Sequence, residues 1–253
     1  MSDVSDRDPR PAPDAGSAIA LEGSANFRDL GGWAAAGGRR VRRGRLYRSD
    51  ALHRLTAADV ALLRGLGVAT VVDLRSSHEV EAEGRGPLCE PPARYHHVPF
   101  FDGERSGASA PPGDLAEIYF QMLRFAAKPI ARALEVLAAC EAPAVFHCAA
   151  GKDRTGVLAA VLLSSLGVAD EDVVLDYART QAAMELVTAR LRESDAYAYV
   201  FTELPPETLH ARPETMRALL ARARAEWGSL RDYARFAGVP DAALDALAAR
   251  LVE

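Results

Sequence analysis

Cys148 and Arg154 bracket five residues in the run HCAAGKDRTG, 147 to 156, set between an apolar stretch and a helical one. A thiolate is a strong nucleophile, and helix N-termini and nearby cations favour it over the thiol. A guanidinium presents a planar fork that meets two oxygens of a phosphate at once, which lysine cannot do. Between and including these positions, Ala149, Ala150, Gly151, Lys152, Asp153 and Arg154 offer successive backbone N–H groups at the mouth of a helix, the parts of an anion cradle. Gly151 lets the loop turn through a positive φ, and Gly156 lets it lie close against a neighbour. Thr155 can donate its hydroxyl to the sulfur, steadying it as nucleophile and as leaving group. The expected chemistry is nucleophilic attack on a doubly negative oxyanion.

Other readings fit the run less well. A nucleotide-binding loop of the Walker type needs Gly-Lys followed by Ser or Thr, and here Asp153 follows Lys152. His147 and Cys148 are neighbours on a strand and point to opposite faces, so they are poor partners for one metal ion. No metal and no cofactor is expected. A buried structural cysteine under a helix-capping loop accounts for Cys148 alone, but not for the His, Gly, Thr and Gly arranged around it.

Elements must place these groups. PAVFHC, 143 to 148, reads as a buried strand and TGVLAAVLLSSLGV as an apolar helix ending at Gly167, so Cys148 falls at the carboxyl end of a strand, where open α/β sheets bind ligands. VATVVDL, 68 to 74, is apolar without alternation, as in the middle of a parallel sheet, and YHHVPF, 95 to 100, is a further strand. A turn at Gly37 and Gly38 leads to short strands around Val41, Leu46 and Tyr47. Thr56 and Asp59 cap a helix, with Leu55 and Val60 as its staple, that ends near Gly65 or Gly67. A Gly, Ser and Pro loop, 102 to 113, precedes a helical stretch divided near Pro129. Asp170 opens a helix running to about Glu193, and helical signals fade from Ser194 to Pro213. Met216, Leu219, Leu220, Ala223 and Trp227 then share one helix face, and two short helices close the chain. This order gives an α/β fold, a mostly parallel central sheet flanked by helices, with a C-terminal helical segment.

Residues 1–18 are proline-rich and polar and read as a disordered tail, leaving 19–253 as a single domain. Acidic residues outnumber basic ones by 35 to 30, which argues against a nucleic-acid partner. No apolar run reaches the ~18 residues of a spanning helix and no apolar signal core opens the chain, so a cytoplasmic place without stable membrane insertion is expected. Export without a visible signal peptide stays open, as does the oligomeric state. Cys89, Cys140 and Cys148 make neither an even disulfide set nor a CxxC pair, which suits a reducing compartment.

HCAAGKDRTG resembles the signature loop of the protein tyrosine phosphatases, a Cys, five residues and an Arg, and its GKDRTG form is similar to the bacterial branch typified by mycobacterial phosphatase B. NFRDLGG, LYRSDAL, VVDLRSSHEVE, IYFQML, DYART, RPETMRALL and WGSLRDYARFAGV are each similar to segments of that branch, so the resemblance covers about residues 20 to 252. It implies that Cys148 attacks phosphorus to form a phosphocysteine, that Arg154 and the loop amides hold the equatorial oxygens, and that water then releases inorganic phosphate without a metal. The substrates implied are phosphotyrosine proteins, with phosphoserine and phosphothreonine as a wider range. Alternatives are a phosphoinositide phosphatase and a phosphate-binding module without turnover; sulfur transfer suits the GKDRTG continuation less well. Related bacterial enzymes also have a helical cover, which would here fall within 194–224.

A leaving alkoxide or phenoxide needs a proton, and the Trp-Pro-Asp loop that carries the acid in well-known tyrosine phosphatases does not occur here. Asp153, beside the phosphate, leads; Asp102, on the loop after a strand, follows. Asp73 and Arg75 end a neighbouring strand, and Asp73 either pairs with Arg154 or caps the following turn. Asn26, Arg28 and Asp29 read as loop scaffolding close to the site. Lys152 either meets a second phosphate or, more simply, is a solvated lysine. The arginines among residues 39 to 45 either alternate on an exposed hairpin or meet an anionic membrane surface. Cys148 is expected to be inactivated reversibly by peroxide, with Cys140 as a resolving thiol or as a buried apolar residue.

Overall fold

The computed structural model describes residues 15–102 and 114–253, so the expected loop at 103–113 and most of the expected tail lie outside the described residues. Among the described residues one sheet runs in the order β1-β2-β5-β3-β4, from β1 (Arg28–Asp29), β2 (Leu46–Ser49), β3 (Thr70–Asp73), β4 (Arg94–His97) and β5 (Ala144–His147). Only β1 is antiparallel to its neighbour; β2, β5, β3 and β4 are parallel. The apolar runs of β3 and β5 have a direct cause, since both faces of the sheet are covered. Leu46, Val72, Ala144 and Phe146 enter the larger core, and the alternate residues Tyr47, Val71 and Val145 enter a smaller one.

The helices are α1 (Ala57–Gly65), α2 (Ser77–Glu83), α3 (Leu115–Phe125), α4 (Ala127–Ala138), α5 (Asp153–Ser165), α6 (Asp170–Arg179), α7 (Met184–Leu191), α8 (Ala198–Thr202), α9 (Pro213–Trp227), α10 (Leu230–Phe236) and α11 (Asp241–Leu251). Thr56 and Asp59 form the expected capping box at the head of α1. The break between α3 and α4 falls at Ala126, and Pro129 sits in the first turn of α4, where a missing N–H goes unnoticed. The helix expected from 170 to 193 is divided, because Thr180–Ala183 tightens into a 3₁₀ turn. Arg28 Nη2 takes the carbonyl of Asp176 at 3.0 Å, the acceptor that a continuous α-helix would offer to Thr180, whose N–H bonds to Tyr177 and Ala178 instead.

Residues 15–18, expected in the tail, are instead built into the fold. Gly16 donates to Gly31 at 3.0 Å, Ala18 pairs with Arg28, and Ala15 is fully buried. The segment expected as a cover, 194–224, is likewise two things. Ala211 and Met216, Leu219, Leu220 and Ala223 of α9 lie in the larger core, so this part is framework, whereas Tyr197, Val200 and Phe201 pack in a separate cluster. Among the described residues no helix is long and apolar enough to cross a membrane.

Candidate active site

β2, β5 and β3 end side by side, with Ser49, His147 and Asp73 in register, and the chain leaves β5 at this edge as the loop 148–152 before α5 begins. Alternation sends His147 to one face and Cys148 to the other, where the thiol is 1% exposed. The loop is held from behind. Asn26 Nδ2 donates to the carbonyls of Ala150 and Gly151 at 3.1 and 3.3 Å, and Arg48 Nη2 donates to Gly151 at 2.8 Å. The N–H of a trans peptide points opposite to its C=O, so the amides of Gly151 and Lys152 turn to the other side, as a cradle requires. Gly151 has φ +65°, and a Cβ there would fall 2.6 Å from the Asp50 nitrogen. Gly156 lets α5 approach α6, since a Cβ would stand 3.0 Å from the Tyr177 ring.

Behind the loop two buried arginines share one carboxylate. Arg28 Nε meets Asp176 Oδ1 at 3.2 Å and Arg48 Nη1 bonds Asp176 Oδ2. Burial and the like charge of Arg48 push the Arg28 guanidinium down to about 10, further than Asp176 restores it. Asp50 holds the Asn26 segment through the N–H groups of Ala25 and Asn26, at 3.1 and 3.0 Å. Asn26 and Arg28 thus brace the loop, whereas Asp29 accepts from Gly31 and Gly44 and braces the chain before β2.

Arg154 is aimed by a residue the sequence reading passed over. Glu79 receives Nη1 at 2.5 Å and Nη2 at 2.8 Å, an end-on bidentate pair. Glu79 is fixed in turn by the capping box of α2, where Ser76 N–H reaches it at 2.7 Å. Burial opposes its charge, but Arg154 and the capping bonds hold its carboxyl below the usual range, and the same pair holds the Arg154 guanidinium well above its own. The expected pairing of Asp73 with Arg154 is therefore corrected. Asp73 caps the following turn through Arg75 N–H at 3.0 Å, pairs with the Arg75 guanidinium at 2.7 Å and accepts from Tyr95 at 3.0 Å. His147 lies 3.6 Å from Asp73, and burial pushes its imidazole down to about 4, so it is neutral at pH 7 and serves the loop through a 3.4 Å contact with the Cys148 carbonyl.

Lys152 is not a solvated lysine. It is 2% exposed, and its ammonium bonds Asp153 Oδ1 at 2.6 Å and the Thr208 carbonyl at 2.7 Å, because the chain between α8 and α9 folds over it. Asp153 Oδ1 also accepts from Tyr119 at 2.7 Å, and Tyr119 meets Tyr177 at 2.8 Å. Asp102 accepts from Ser77 N–H at 3.0 Å and Ser77 Oγ at 2.8 Å, which places it on the first turn of α2. Thr155 Oγ1 is buried with no hydrogen-bond partner. Tyr197, Val200 and Phe201 pack with Met184, Val187 and Leu191 against Ala149 and Ala150 of the loop.

The other thiols stand aside. Cys140 donates to Val136 at 3.2 Å and lies before β5, while Cys148 follows it. A strand's rise of ~3.3 Å per residue separates their ends by ~13 Å over β5, beyond the ~7 Å limit for a disulfide, so Cys140 takes the buried apolar role. Burial pushes the Cys89 thiol up to about 12, which leaves it inert.

One consequence concerns acid. A carboxylate lowered in the folded state stabilises it above its unfolded value, 4.5 for Glu79, and that contribution is lost as pH falls through the depressed folded value. Glu79→Gln is expected to cost about 3 kcal/mol above pH 5, as for other buried pairs broken on one side. Melting curves of the two proteins should converge as the pH drops below about 4.5; a constant gap across pH would refute the role given to this pair.

A parallel sheet with a buried cysteine at the end of its central strand, a loop whose amides are turned inward, and an arginine anchored at the first turn of the next helix define the architecture of the cysteine-dependent phosphatases. Residues 19–253 match the tyrosine phosphatase family, and the chain belongs to it. A Cupriavidus necator protein whose name assigns it provisionally to the tyrosine-protein phosphatases is 36% identical over 86% of this chain and 82% of its own. The triple specificity protein phosphatase PtpB of Mycobacterium tuberculosis is 32% identical over 89% of this chain and 95% of its own. A tyrosine-protein phosphatase of Nostoc commune is 30% identical over 81% of this chain and 73% of its own.

Proposed function

We propose that this phosphatase hydrolyses phosphotyrosine, and more slowly phosphoserine and phosphothreonine, through a phosphocysteine at Cys148. The carrying observation is the loop itself, with the carbonyls of Ala150 and Gly151 drawn outward by Asn26 and Arg48. Inward amides and the N-terminus of α5 receive the phosphate dianion. The end-on pair with Glu79 leaves Nε and the side edge of the Arg154 fork for two equatorial oxygens. Cys148 Sγ attacks phosphorus; the S–P bond forms as the P–O ester bond breaks, and the leaving oxygen takes a proton from Asp153. The Asp153 carboxylate then takes a proton from the water whose oxygen attacks phosphorus, returning the thiolate and orthophosphate. Thr155, whose buried hydroxyl has no other partner, donates to the sulfur in both steps. The name of the mycobacterial relative supports the wider tolerance.

Asp153 is favoured over Asp102 as the acid because Lys152 and Tyr119 hold its Oδ1, leaving Oδ2 for the proton, while Asp102 is engaged at α2. Asp153→Asn is expected to lower turnover of phosphotyrosine about 10²- to 10³-fold. Activated esters such as dinitrophenyl phosphate should lose far less, and equal losses across leaving groups would eliminate Asp153 as the acid. Lys152 is occupied by Thr208 and Asp153, so it does not stand ready for the second phosphate of an inositol lipid, and the phosphotyrosine reading is preferred. Residues 195–209 are assigned as a cover over the cradle, on the strength of their packing against Ala149 and Ala150.

The test is chemical trapping. A phosphotyrosine peptide mixed with the enzyme in chelator and quenched within milliseconds should leave label on Cys148 as a thiophosphate ester. A phosphoinositide run beside it decides the preferred substrate. Steady release of phosphate with no label on Cys148 would overturn the mechanism, and faster turnover of the lipid would overturn the substrate.

A further inference from the structure

A second group of cations lies at the opposite end of β2 from the cradle. Arg45 immediately precedes β2, whereas Ser49 ends it beside the site, and the strand's rise of ~3.3 Å per residue puts ~13 Å between the two edges. Here Arg40, Arg42, Arg43, Arg45 and Glu253 line a cavity of about 310 Å³. Its wall is a paired strand edge. Arg40 and Glu253 exchange both backbone hydrogen bonds at 2.7 and 2.9 Å, Arg42 N–H reaches Leu251 at 2.7 Å, and Val41 pairs with Val252. Val41 and Val252 are 2% and 4% exposed, and this burial fixes the alternation, so Arg40 and Arg42 project together from the other face. The backbone of Arg45 is tied by Arg250 at 3.2 Å.

The charge of this cavity is unbalanced. Among the described residues lining it, Glu253 is the one acid, and its nearest approach to Arg42 is 3.8 Å, longer than a hydrogen bond. Arg42 Nε is buried and has no hydrogen-bond partner. Even without Arg43, the guanidiniums of Arg40, Arg42 and Arg45 outnumber the side-chain carboxylate of Glu253 in a chain whose net charge is −5. Guanidinium forks select oxyanions, and several forks around one cavity suit a ligand that carries two phosphates. The volume is at the small end of ligand sites, enough for a diphosphate or a bisphosphorylated ring.

We infer that this cavity is a second anion site that binds a ligand with two neighbouring phosphates, free in solution or as a lipid headgroup, apart from the catalytic cradle. The experiment is calorimetric titration of inorganic pyrophosphate into protein whose cradle is saturated with orthovanadate. One equivalent should bind, and Arg42→Gln/Arg45→Gln should weaken it at least tenfold while turnover of p-nitrophenyl phosphate and the melting temperature stay unchanged. Should that double variant misfold, Arg40→Gln alone is expected to weaken binding severalfold. Absence of saturable binding, or binding indifferent to these substitutions, overturns the site. Vesicles identify the source. Retention on phosphatidylinositol bisphosphate vesicles, but not on phosphatidylserine vesicles of equal charge, supports a headgroup; pyrophosphate binding without vesicle retention supports a soluble ligand. Equal retention on both vesicles with no pyrophosphate binding overturns the proposal in favour of diffuse charge attraction.

Discussion

Cys148→Ser is expected to lower kcat on a phosphotyrosine peptide by on the order of 10⁴-fold or more while phosphate and vanadate still bind. The substitution exchanges sulfur for oxygen at a position 1% exposed, so the cradle around it keeps its shape. What changes is the nucleophile. A serine hydroxyl stays protonated near neutrality and is a far weaker nucleophile than a thiolate. The inward amides of Gly151 and Lys152 and the Arg154 fork are untouched, and in the proposed mechanism they are what the ground-state anion meets. The measurements are kcat by phosphate release and affinity by calorimetry on the same preparation. Turnover within tenfold of the parent protein would show that another group attacks phosphorus, while loss of both turnover and binding would show that the thiolate is part of the anion site's architecture.

Arg154→Lys should cost about 10²- to 10³-fold in kcat/KM, the scale of removing a preorganised donor from a developing charge. Lysine keeps the charge and loses the plane. Glu79 grips Nη1 and Nη2 together, and an ammonium cannot satisfy both carboxylate oxygens and still present two parallel donors to a phosphate. Glu79 is accordingly a positioning residue that works through Arg154, and Glu79→Gln alone should cost about tenfold in kcat/KM. The discriminating protein is the double variant. If Glu79 acts only by aiming Arg154, Arg154→Lys/Glu79→Gln should be no slower than Arg154→Lys by itself. Fully multiplicative losses would mean that Glu79 touches the reaction by some other route.

The central layers of this fold are legible in the sequence because burial writes them twice. VATVVDL and PAVFHC are mostly apolar on both alternating faces since each faces two cores, and the Thr56-Asp59 box announces its helix through side chains that bond within three residues of each other. The candidate cradle is legible for a similar reason, as its cysteine, turn glycine and arginine fork fall within seven residues. What escaped lies far away along the chain. Glu79 is 75 residues from Arg154, and Asp176 is 128 from Arg48, so no spacing rule joins them. Ser76-x-x-Glu79 has the capping-box pattern, which would have located α2 but not the second partner of its carboxylate. Lys152 misled for a different reason. A lysine beside an aspartate in a glycine loop reads as solvated, and only the return of Thr208 over it, by way of a proline-rich segment without periodicity, buries the ammonium.

The sharing of Asp176 by Arg28 and Arg48 reaches beyond the geometry of the loop. Two guanidiniums at most 3% exposed face one carboxylate 1% exposed, so this cluster of three carries a net positive charge behind the loop 148–152. Burial first, and then the like charge of Arg48, lower the Arg28 guanidinium to about 10. A dianion settling above the loop would meet that positive charge, which links ligand binding to conformational stability. Orthophosphate, the product, is then expected to raise the enzyme's melting temperature and to inhibit it. A cell's phosphate level would set both how long the protein survives and how fast it works, in opposite directions.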